Sequence, residues 1–209
     1  QARREAGERL AAQVEAQLAD LNMDGAQFAV DLAWTDDPSG VYVGERTLAC
    51  DERGVDRIEF LIAPNLGEGL KPLVKIASGG ETSRLMLALK TVLSVADETP
   101  TFIFDEIDQG IGGRIGGVVG RKLWGLTHAD GLQHQVLCVT HLPQIAGYAD
   151  THYHVEKVIS GERTTTRVQI LNGDDRVVEL ATMLGTPSDG TRRSAQEILD
   201  EATAVRPNR

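Results

Sequence analysis

Cysteines and long apolar runs are scarce in this sequence of 209 residues. The two cysteines, Cys50 and Cys138, lie far apart in the chain, so no disulfide framework is expected and a reducing, cytosolic compartment is favoured. No run of about 18 apolar residues is present, so a membrane-spanning helix is not predicted. The first residues also lack the charged and then apolar segments of a secretory signal, which favours the same compartment.

Positive charge is also in short supply. Lysine and arginine number 21 against 31 aspartates and glutamates, which gives a net charge of −10. A broad nucleic-acid-binding surface needs an excess of basic residues, so this segment is not expected to form one by itself. A longer protein that contains the segment could still bind DNA through a basic patch elsewhere.

The first 21 residues carry a narrow apolar stripe on a charged helix. Leu10, Val14, Leu18 and Leu21 recur at spacings of four, four and three residues. This stripe fits the seam of a coiled coil and, equally well, an ordinary amphipathic surface helix, and one helix of this length does not separate the two. Because the sequence starts in the middle of this helix, we expect a fragment or one piece of a split domain.

The remaining pattern predicts an α/β fold. Two half-buried strands, at residues 28–34 and 57–62, flank a segment rich in turn formers. Farther along, apolar strands alternate with helices, which indicates a mostly parallel sheet flanked by helices. The predicted order is a helix from about Gly80 to Ala96, strand 101–104, helix 114–126, strand 135–140, a hairpin around Ser160-Gly161 and two helices, 174–184 and 191–203.

Two adjacent carboxylates, Asp105 and Glu106, follow directly on the apolar strand TFIF. The carboxyl ends of parallel strands form the edge at which α/β folds bind ligands. One carboxylate there can hold Mg²⁺, which prefers oxygen ligands, and the next can polarise an attacking water. Such a pair is the Walker B pattern, although an acidic pair at a strand end can also be plain solvated surface.

A second motif, Ser78-Gly79-Gly80-Glu81, precedes an apolar helix. Ser-x-x-Glu is a helix capping box, with Ser78 as the N-cap. A capping box does not need two glycines, each of which weakens a helix start by roughly 0.5–1 kcal/mol relative to alanine. Paired glycines fit a place where another group approaches the free N–H groups of a helix N-terminus, which is a natural phosphate site. The same residues can thus cap the helix and bind an anion.

The second buried strand ends in His141. A histidine at this sheet edge can contact a phosphate or a catalytic water, although for a lone histidine a structural hydrogen bond is the commoner role. Cys138 with His141, and His152 with His154, each resemble half of a metal site. Neither has a second pair at zinc spacing, so zinc is not expected.

The order and spacing of these motifs resemble an ABC-type ATPase head. The Asp-Glu pair begins 27 positions after Ser78, and His141 lies 36 positions after Asp105. This is the series of signature motif, Walker B, D-loop and H-loop. Glu81 in place of glutamine, and DEID in place of DEPT, favour the SMC branch over membrane transporters.

Longer stretches are similar to one family in that branch, the RecN family of bacterial DNA-repair proteins. They are FLIAPNLGEGLKPLVKIASGGETSRLMLALK, TFIFDEIDQGIGG, VLCVTHLPQIAGYADTHYHVEK and VVELATMLG, and the similarity covers residues 55–203. TSRLMLALK and THLPQIA favour this family over other SMC-like heads of cohesin or Rad50 type. The first 50 residues match only in pattern, with 1–24 as the end of a coiled-coil arm and 25–209 as the C-terminal part of the head.

The resemblance implies ATP and Mg²⁺ as cofactors. The signature residues from Ser78 to Glu81 would bind the γ-phosphate of an ATP held on a partner head. Asp105 would hold Mg²⁺ through water, Glu106 would be the general base and His141 the switch histidine. Asp108 and Gln109 would belong to a D-loop that crosses the dimer interface.

Two features of the sequence differ from what a complete head of this family would show. Gln109 and Gly112 stand where Thr and Ser are expected, which removes two hydroxyls from the D-loop. The phosphate loop G-x-x-x-x-G-K-[ST] occurs nowhere, and the glycine-rich run 110–117 lacks the required lysine. In this family that loop lies in the N-terminal half of the head, beyond a coiled-coil arm, so this segment alone is expected to be inactive.

The function that the resemblance implies is ATP-driven head dimerisation in DNA double-strand break repair and recombination. The implied partners are the N-terminal half of the same head, a second head in a homodimer, and DNA through the complete protein, with no membrane. The implied location is the cytoplasm, at the bacterial nucleoid. A non-hydrolysing module for dimerisation is the alternative. The joint presence of Ser78, Asp105, Glu106 and His141 argues against it.

Overall fold

The computed structural model describes residues 1–75, 78–94, 96–128, 134–160 and 163–206. These residues belong to two units, Gln1–Val92 and Leu93–Arg209. None of the helices in the described ranges combines the length and the apolar character that crossing a membrane requires.

The first unit places a helix against an antiparallel sheet. Its elements are α1 (Ala2–Asp20), β1 (Gln27–Ala33), β2 (Asp36–Val43), β3 (Arg46–Leu48), β4 (Arg57–Ala63), β5 (Lys71–Pro72), a 3-10 turn (Leu73–Lys75) and α2 (Gly79–Leu93). The strands β1, β4 and β5 form one sheet in that order, and β2 pairs with β3. Phe28 lies opposite Ile62 in the β1–β4 register, and both side chains are buried.

The apolar stripe of α1 is buried within this unit. Val14 and Leu18 are fully buried. Glu15 accepts a hydrogen bond of 2.9 Å from the backbone N–H of Phe28, and a Cβ at Gly7 would come within 3.1 Å of the Val30 side chain. Over this stretch the helix therefore behaves as an amphipathic helix that packs on its own sheet.

The second unit contains the described strands that pair in parallel. Its elements are β6 (Thr101–Phe104), α3 (Gly113–Leu126), β7 (Gln135–Cys138), α4 (Pro143–Ala146), β8 (His152–Ser160), β9 (Arg163–Leu171), α5 (Gly173–Leu184) and α6 (Asp189–Val205). β6 runs parallel to β7, with Phe104 opposite Cys138, and β8 pairs antiparallel with β9. Leu180 and Ala181 of α5 form a buried cluster with Ala146 and Ala195.

The prediction of an α/β fold with an N-terminal helix is confirmed, but the prediction of a mostly parallel sheet is not. Among the described strands only β6 and β7 pair in parallel, and the other sheets are small and antiparallel. The β6–β7 pair also has one open face, because Ile103, Leu137 and Val139 are exposed. The apolar runs predict strands correctly but do not show how many neighbours each strand finds within this chain.

Most predicted elements lie within two or three residues of the observed ones, and one hairpin was missed. Turns were predicted at Asp36, Pro38 and Gly40, but these residues lie in strand β2. The register of β2 with β3 shifts between Asp36 and Val41. The hairpin of β8 and β9 is confirmed, while Gly161 of its predicted turn lies outside the described residues.

Candidate functional site

The signature residues lie at the start of α2 in the first unit. Ser78 Oγ accepts a long hydrogen bond of 3.5 Å from the backbone N–H of Glu81, and the Ser78 carbonyl accepts from the Thr82 N–H at 3.0 Å and the Thr82 hydroxyl at 2.8 Å. Gly79 is exposed and Gly80 is buried. The capping role of Ser78 is therefore confirmed, and its role toward a phosphate stays a prediction.

The same helix carries a buried charge that the sequence analysis did not single out. Arg84 is buried, and this desolvation lowers the pKa of its guanidinium, an effect that the nearby carboxylate of Glu81 opposes. The signal in the sequence is a basic residue at the head of the apolar run LMLAL. A buried cation one turn from the signature residues raises the positive potential of that helix start.

Asp105 and Glu106 lie at the carboxyl end of β6 in the second unit. The Phe104 carbonyl accepts a hydrogen bond of 3.0 Å from the Val139 N–H, which extends the parallel pairing to this edge. Both carboxylates are exposed, and Asp105 Oδ1 accepts from the Glu106 N–H at 2.9 Å. The structure thus places the pair where the sequence predicts it, at the carboxyl-terminal edge of a parallel pair of strands, which is the edge at which α/β folds bind ligands.

Glu106 has an unusual backbone conformation. Its φ is 55°, in the left-handed region that residues other than glycine seldom adopt. Such a conformation costs about 1–3 kcal/mol and persists only where the surroundings enforce it. Here Ile107 is fully buried next to it, and the Glu106 carbonyl accepts from the Gln109 N–H at 3.1 Å. The backbone therefore turns sharply at Glu106.

Asp108 joins this turn to the end of β7. Its Oδ2 accepts hydrogen bonds from the Thr140 hydroxyl at 2.6 Å and from the His141 backbone N–H at 2.8 Å, and it lies 3.0 Å from His141 Nδ1. The Asp108 side chain is only 5% exposed, whereas that of His141 is 74% exposed. The structure therefore brings the predicted switch histidine to the same sheet edge as the Asp-Glu pair.

The remaining D-loop residues lead into α3. Gln109 is exposed, Gly110 has a φ of 75°, and Gly112 is the N-cap of α3 without a side chain to cap it. The serine expected at position 112 would supply that cap, so its loss affects the helix start as well as polar contacts of the loop.

Two arginines distant in sequence hold the segment that follows His141. Arg176 donates to the carbonyls of Ala146, Gly147 and Ala149 at 3.0, 3.0 and 2.6 Å. Arg206 donates to the carbonyls of Tyr148 and Ala149 at 2.9 and 3.1 Å. Sequence reasoning missed both residues, because spacing along the chain gives no sign that α5 and α6 meet the end of α4.

The site fits a magnesium ion that also binds phosphate, and does not fit a metal held by protein alone. Among the described residues no group of three or more His, Cys, Asp or Glu side chains could hold a metal ion. Mg²⁺ is commonly bound by one or two carboxylates together with substrate phosphates, and Asp105 offers one exposed carboxylate.

The thiol of Cys138, at the end of β7, has a pKa raised to about 12. The main cause is burial, and the negative charges of Asp108 and Asp105 add to it.

Comparison with solved structures defines the class of fold. A crystal structure of the Smc head domain with an extended coiled coil, bound to the C-terminal domain of ScpA, from Pyrococcus furiosus, matches 94% of this chain and 38% of that chain. The TM-score is 0.50 and the identity 18%. No protein-family model matches the chain. The chain thus has an α/β fold that resembles part of an SMC head domain.

Comparison with curated proteins is more specific. DNA repair protein RecN of Streptomyces coelicolor is 44% identical over 207 residues, which are 98% of this chain and 36% of that protein. RecN of Treponema pallidum is 51% identical over 148 residues, 70% of this chain and 25% of that protein. The chain is a homologue of RecN, as predicted, and it spans about a third or less of the length of these relatives.

Proposed function

We propose that this chain is the C-terminal part of an SMC-like ATPase head, and that the complete protein couples ATP binding and hydrolysis to head dimerisation in DNA double-strand break repair. Residues 1–24 would be the end of the coiled-coil arm and 25–209 the head. The observation that carries the proposal is the β6–β7 edge, because Asp105 and Glu106 follow one of these paired strands and His141 follows the other. The RecN relatives, which are named as DNA repair proteins, supply the biological setting.

Each residue at this edge has a distinct task in the proposed reaction. Asp105 would hold Mg²⁺ through water, and the ion supplies charge that offsets the phosphates of ATP. Glu106 would accept the proton of the attacking water, and this residue is exposed at the end of β6. His141 would contact the γ-phosphate or the water. Positioning and electrostatics provide most of the catalysis in such phosphoryl transfer.

The open face of β6 and β7 supports a partner that completes the head. Ile103 is 72% exposed, and Leu137 and Val139 are also exposed on these two strands. Apolar side chains on a parallel pair of strands are normally covered. The N-terminal half of the same head, which would bring the phosphate loop, is the proposed cover. The signature residues from Ser78 to Glu81 would bind the γ-phosphate of an ATP held on a second head. The D-loop residues Asp108 and Gln109 would lie in the dimer interface.

Replacement of Glu106 by glutamine in the complete protein tests the proposal. Glutamine keeps the size and hydrogen-bonding reach of glutamate but cannot accept the proton, so hydrolysis should fall by about 10²–10⁴-fold. ATP-bound dimers of heads should persist, because Asp105 and the phosphate loop are untouched. A phosphate-release assay and light scattering in Mg-ATP measure the two properties. Hydrolysis at the wild-type rate would show that the base lies elsewhere or that the head does not use this edge.

A further inference from the structure

A buried histidine lies at the start of the parallel pair of strands, away from the proposed site. His134 directly precedes β7 and is only 3% exposed, and its ring centroid lies 4.6 Å from that of Phe102 in β6. Both ring nitrogens make hydrogen-bond contacts with backbone carbonyls, Nδ1 with the Thr99 oxygen at 2.7 Å and Nε2 with the Ser94 oxygen at 3.3 Å. One ring therefore bridges the two ends of the segment 94–99.

The two contacts depend on how many protons the ring carries. A carbonyl oxygen can only accept a hydrogen bond, whereas a neutral imidazole has one N–H and an imidazolium has two. Both contacts are therefore hydrogen bonds only when the ring is protonated. In the neutral ring one nitrogen turns a lone pair toward a carbonyl oxygen, and this repulsion is weaker at 3.3 Å than at 2.7 Å. The neutral ring should keep its proton on Nδ1 and lose the bond to Ser94.

Ionisable side chains of both signs lie on the elements around the ring. They are Lys90 of α2, Asp97 and Glu98 of the segment after it, Cys138 of β7, Arg114, Arg121 and Lys122 of α3, which contacts β7, and His128 after α3. Asp97 Oδ1 accepts from the Thr99 N–H at 2.9 Å. The direct partners of both ring nitrogens are carbonyls, so protonation of the ring adds a hydrogen bond and not an ion pair.

We propose that His134 is a pH-sensitive link across the segment 94–99. The protonated ring holds the carbonyls of both Ser94 and Thr99, and the neutral ring holds that of Thr99 alone. Histidine is the side chain whose charge ordinarily changes near physiological pH, and a charged donor strengthens a buried hydrogen bond. The start of β6 keeps a further contact in both states, because the Gln135 N–H donates to the Pro100 carbonyl at 2.8 Å. The change is therefore confined to the Ser94 end.

The first test follows the protons on the ring in the full-length protein. Histidines labelled with ¹⁵N are observed by NMR without nucleotide between about pH 5 and 8, the range in which histidine ordinarily titrates. The His134 signals are assigned by their loss in His134→Phe. Both nitrogens should be protonated at the acid end, and Nε2 alone should lose its proton as the pH rises. A ring that stays neutral, a ring that stays charged, or loss of the proton from Nδ1 would each overturn the proposal.

The second test reads the two carbonyls. With ¹³C in the carbonyls of serine and threonine, the Ser94 chemical shift should follow the titration of the His134 ring with the same midpoint, whereas the Thr99 shift should change less. His134→Phe keeps an aromatic ring beside Phe102 but has no donor, so its Ser94 shift should lose this dependence on pH. A Ser94 shift that ignores the ring in the wild type, or that still titrates in His134→Phe, would contradict the link.

His128→Phe provides the matched control. The His128 ring stacks on Trp124 at 4.1 Å, so this variant also replaces a histidine that lies against an aromatic ring. The Ser94 response to pH should be unchanged in it. If the response disappears, it belongs to His128 and the proposal is wrong. The link is independent of the proposed function, because its contacts involve only residues of this chain and its readouts need no ATP, and Glu106→Gln tests that function separately.

Discussion

Individual side chains at the β6–β7 edge are specialised by their surroundings. Asp105 and Glu106 are exposed, whereas Asp108, two positions farther on, is buried and satisfied by the Thr140-His141 segment. The sequence DEID shows three carboxylates in a row of four but not this division. The exposed carboxylates of Asp105 and Glu106 can reach a ligand, whereas the buried carboxylate of Asp108 holds the Thr140-His141 segment in place.

The raised pKa of the Cys138 thiol predicts how the stability of the protein depends on pH. Its thiol pKa is raised from 9.0 to about 12, chiefly by burial, so the folded state disfavours the thiolate. The unfolded chain ionises near the ordinary value, so the free energy of unfolding should fall as pH rises from about 9 to 12, with no such effect below that range. The comparison is with Cys138→Ala, in which this part of the pH dependence should be absent. Parallel curves for the two proteins would contradict the pKa shift.

At the scale of elements, α3 and α4 meet at a glycine. A Cβ at Gly120 would lie 2.5 Å from Tyr148 Cδ2 and 3.1 Å from the Gln144 carbonyl oxygen, whereas Gly117 on the same helix has nothing within 4 Å. Gly120→Ala should therefore destabilise the protein by about 1–3 kcal/mol through overpacking. Gly117→Ala should be neutral or stabilise it by up to about 1 kcal/mol, because alanine favours a helix.

Urea unfolding of the two variants beside the wild type measures this difference. Since α3 supports the short helix that follows His141, Gly120→Ala should also reduce ATP turnover in the complete protein, while Gly117→Ala should not. Equal stability of the two variants would show that Tyr148 moves aside without cost.

The sequence predicts elements best where apolar periodicity is strong. TFIF and QVLC alternate with helices as expected, and Asp105 and His141 follow the strands as predicted. Antiparallel β2 escapes prediction because Asp36, Pro38 and Gly40 are usual turn residues, and only pairing with β3 makes them a strand. Arg176 and Arg206 escape for a similar reason, since their carbonyl partners are 27 to 58 residues away.

At the scale of the whole molecule, the start of α2 provides a test of whether two heads dimerise through ATP. Ser78 caps α2, and a bulky cation there would both remove the cap and block the approach of a partner's γ-phosphate. In the complete protein, Ser78→Arg should preserve ATP binding by a single head but abolish ATP-dependent dimerisation and turnover. Light scattering and phosphate release measure the outcome. Ser78→Thr, which keeps a capping hydroxyl, is the control.

If Ser78→Arg retains full turnover, the Ser-Gly-Gly-Glu motif is only a helix cap in this protein. If it loses both dimerisation and ATP binding, the substitution has damaged the head as a whole. If ATP-dependent dimerisation is lost while ATP binding by a single head is preserved, the result supports a site at Ser78 for the phosphate of an ATP held on the partner head.

The pairing of β8 with β9 has a consequence for the order in which the chain folds. Ser160 pairs with Arg163 at the near end of this hairpin, so its strands are neighbours in sequence, and hairpins form in roughly 1–10 μs. Thr101 pairs with Gln135 across a whole helix, and pairing at such separation must first overcome the entropy of closing a long loop. The hairpin can therefore form before the parallel strands meet. Asp105 and His141 come together only in the later step, so a complete chain that refolds can form this hairpin before it forms its site.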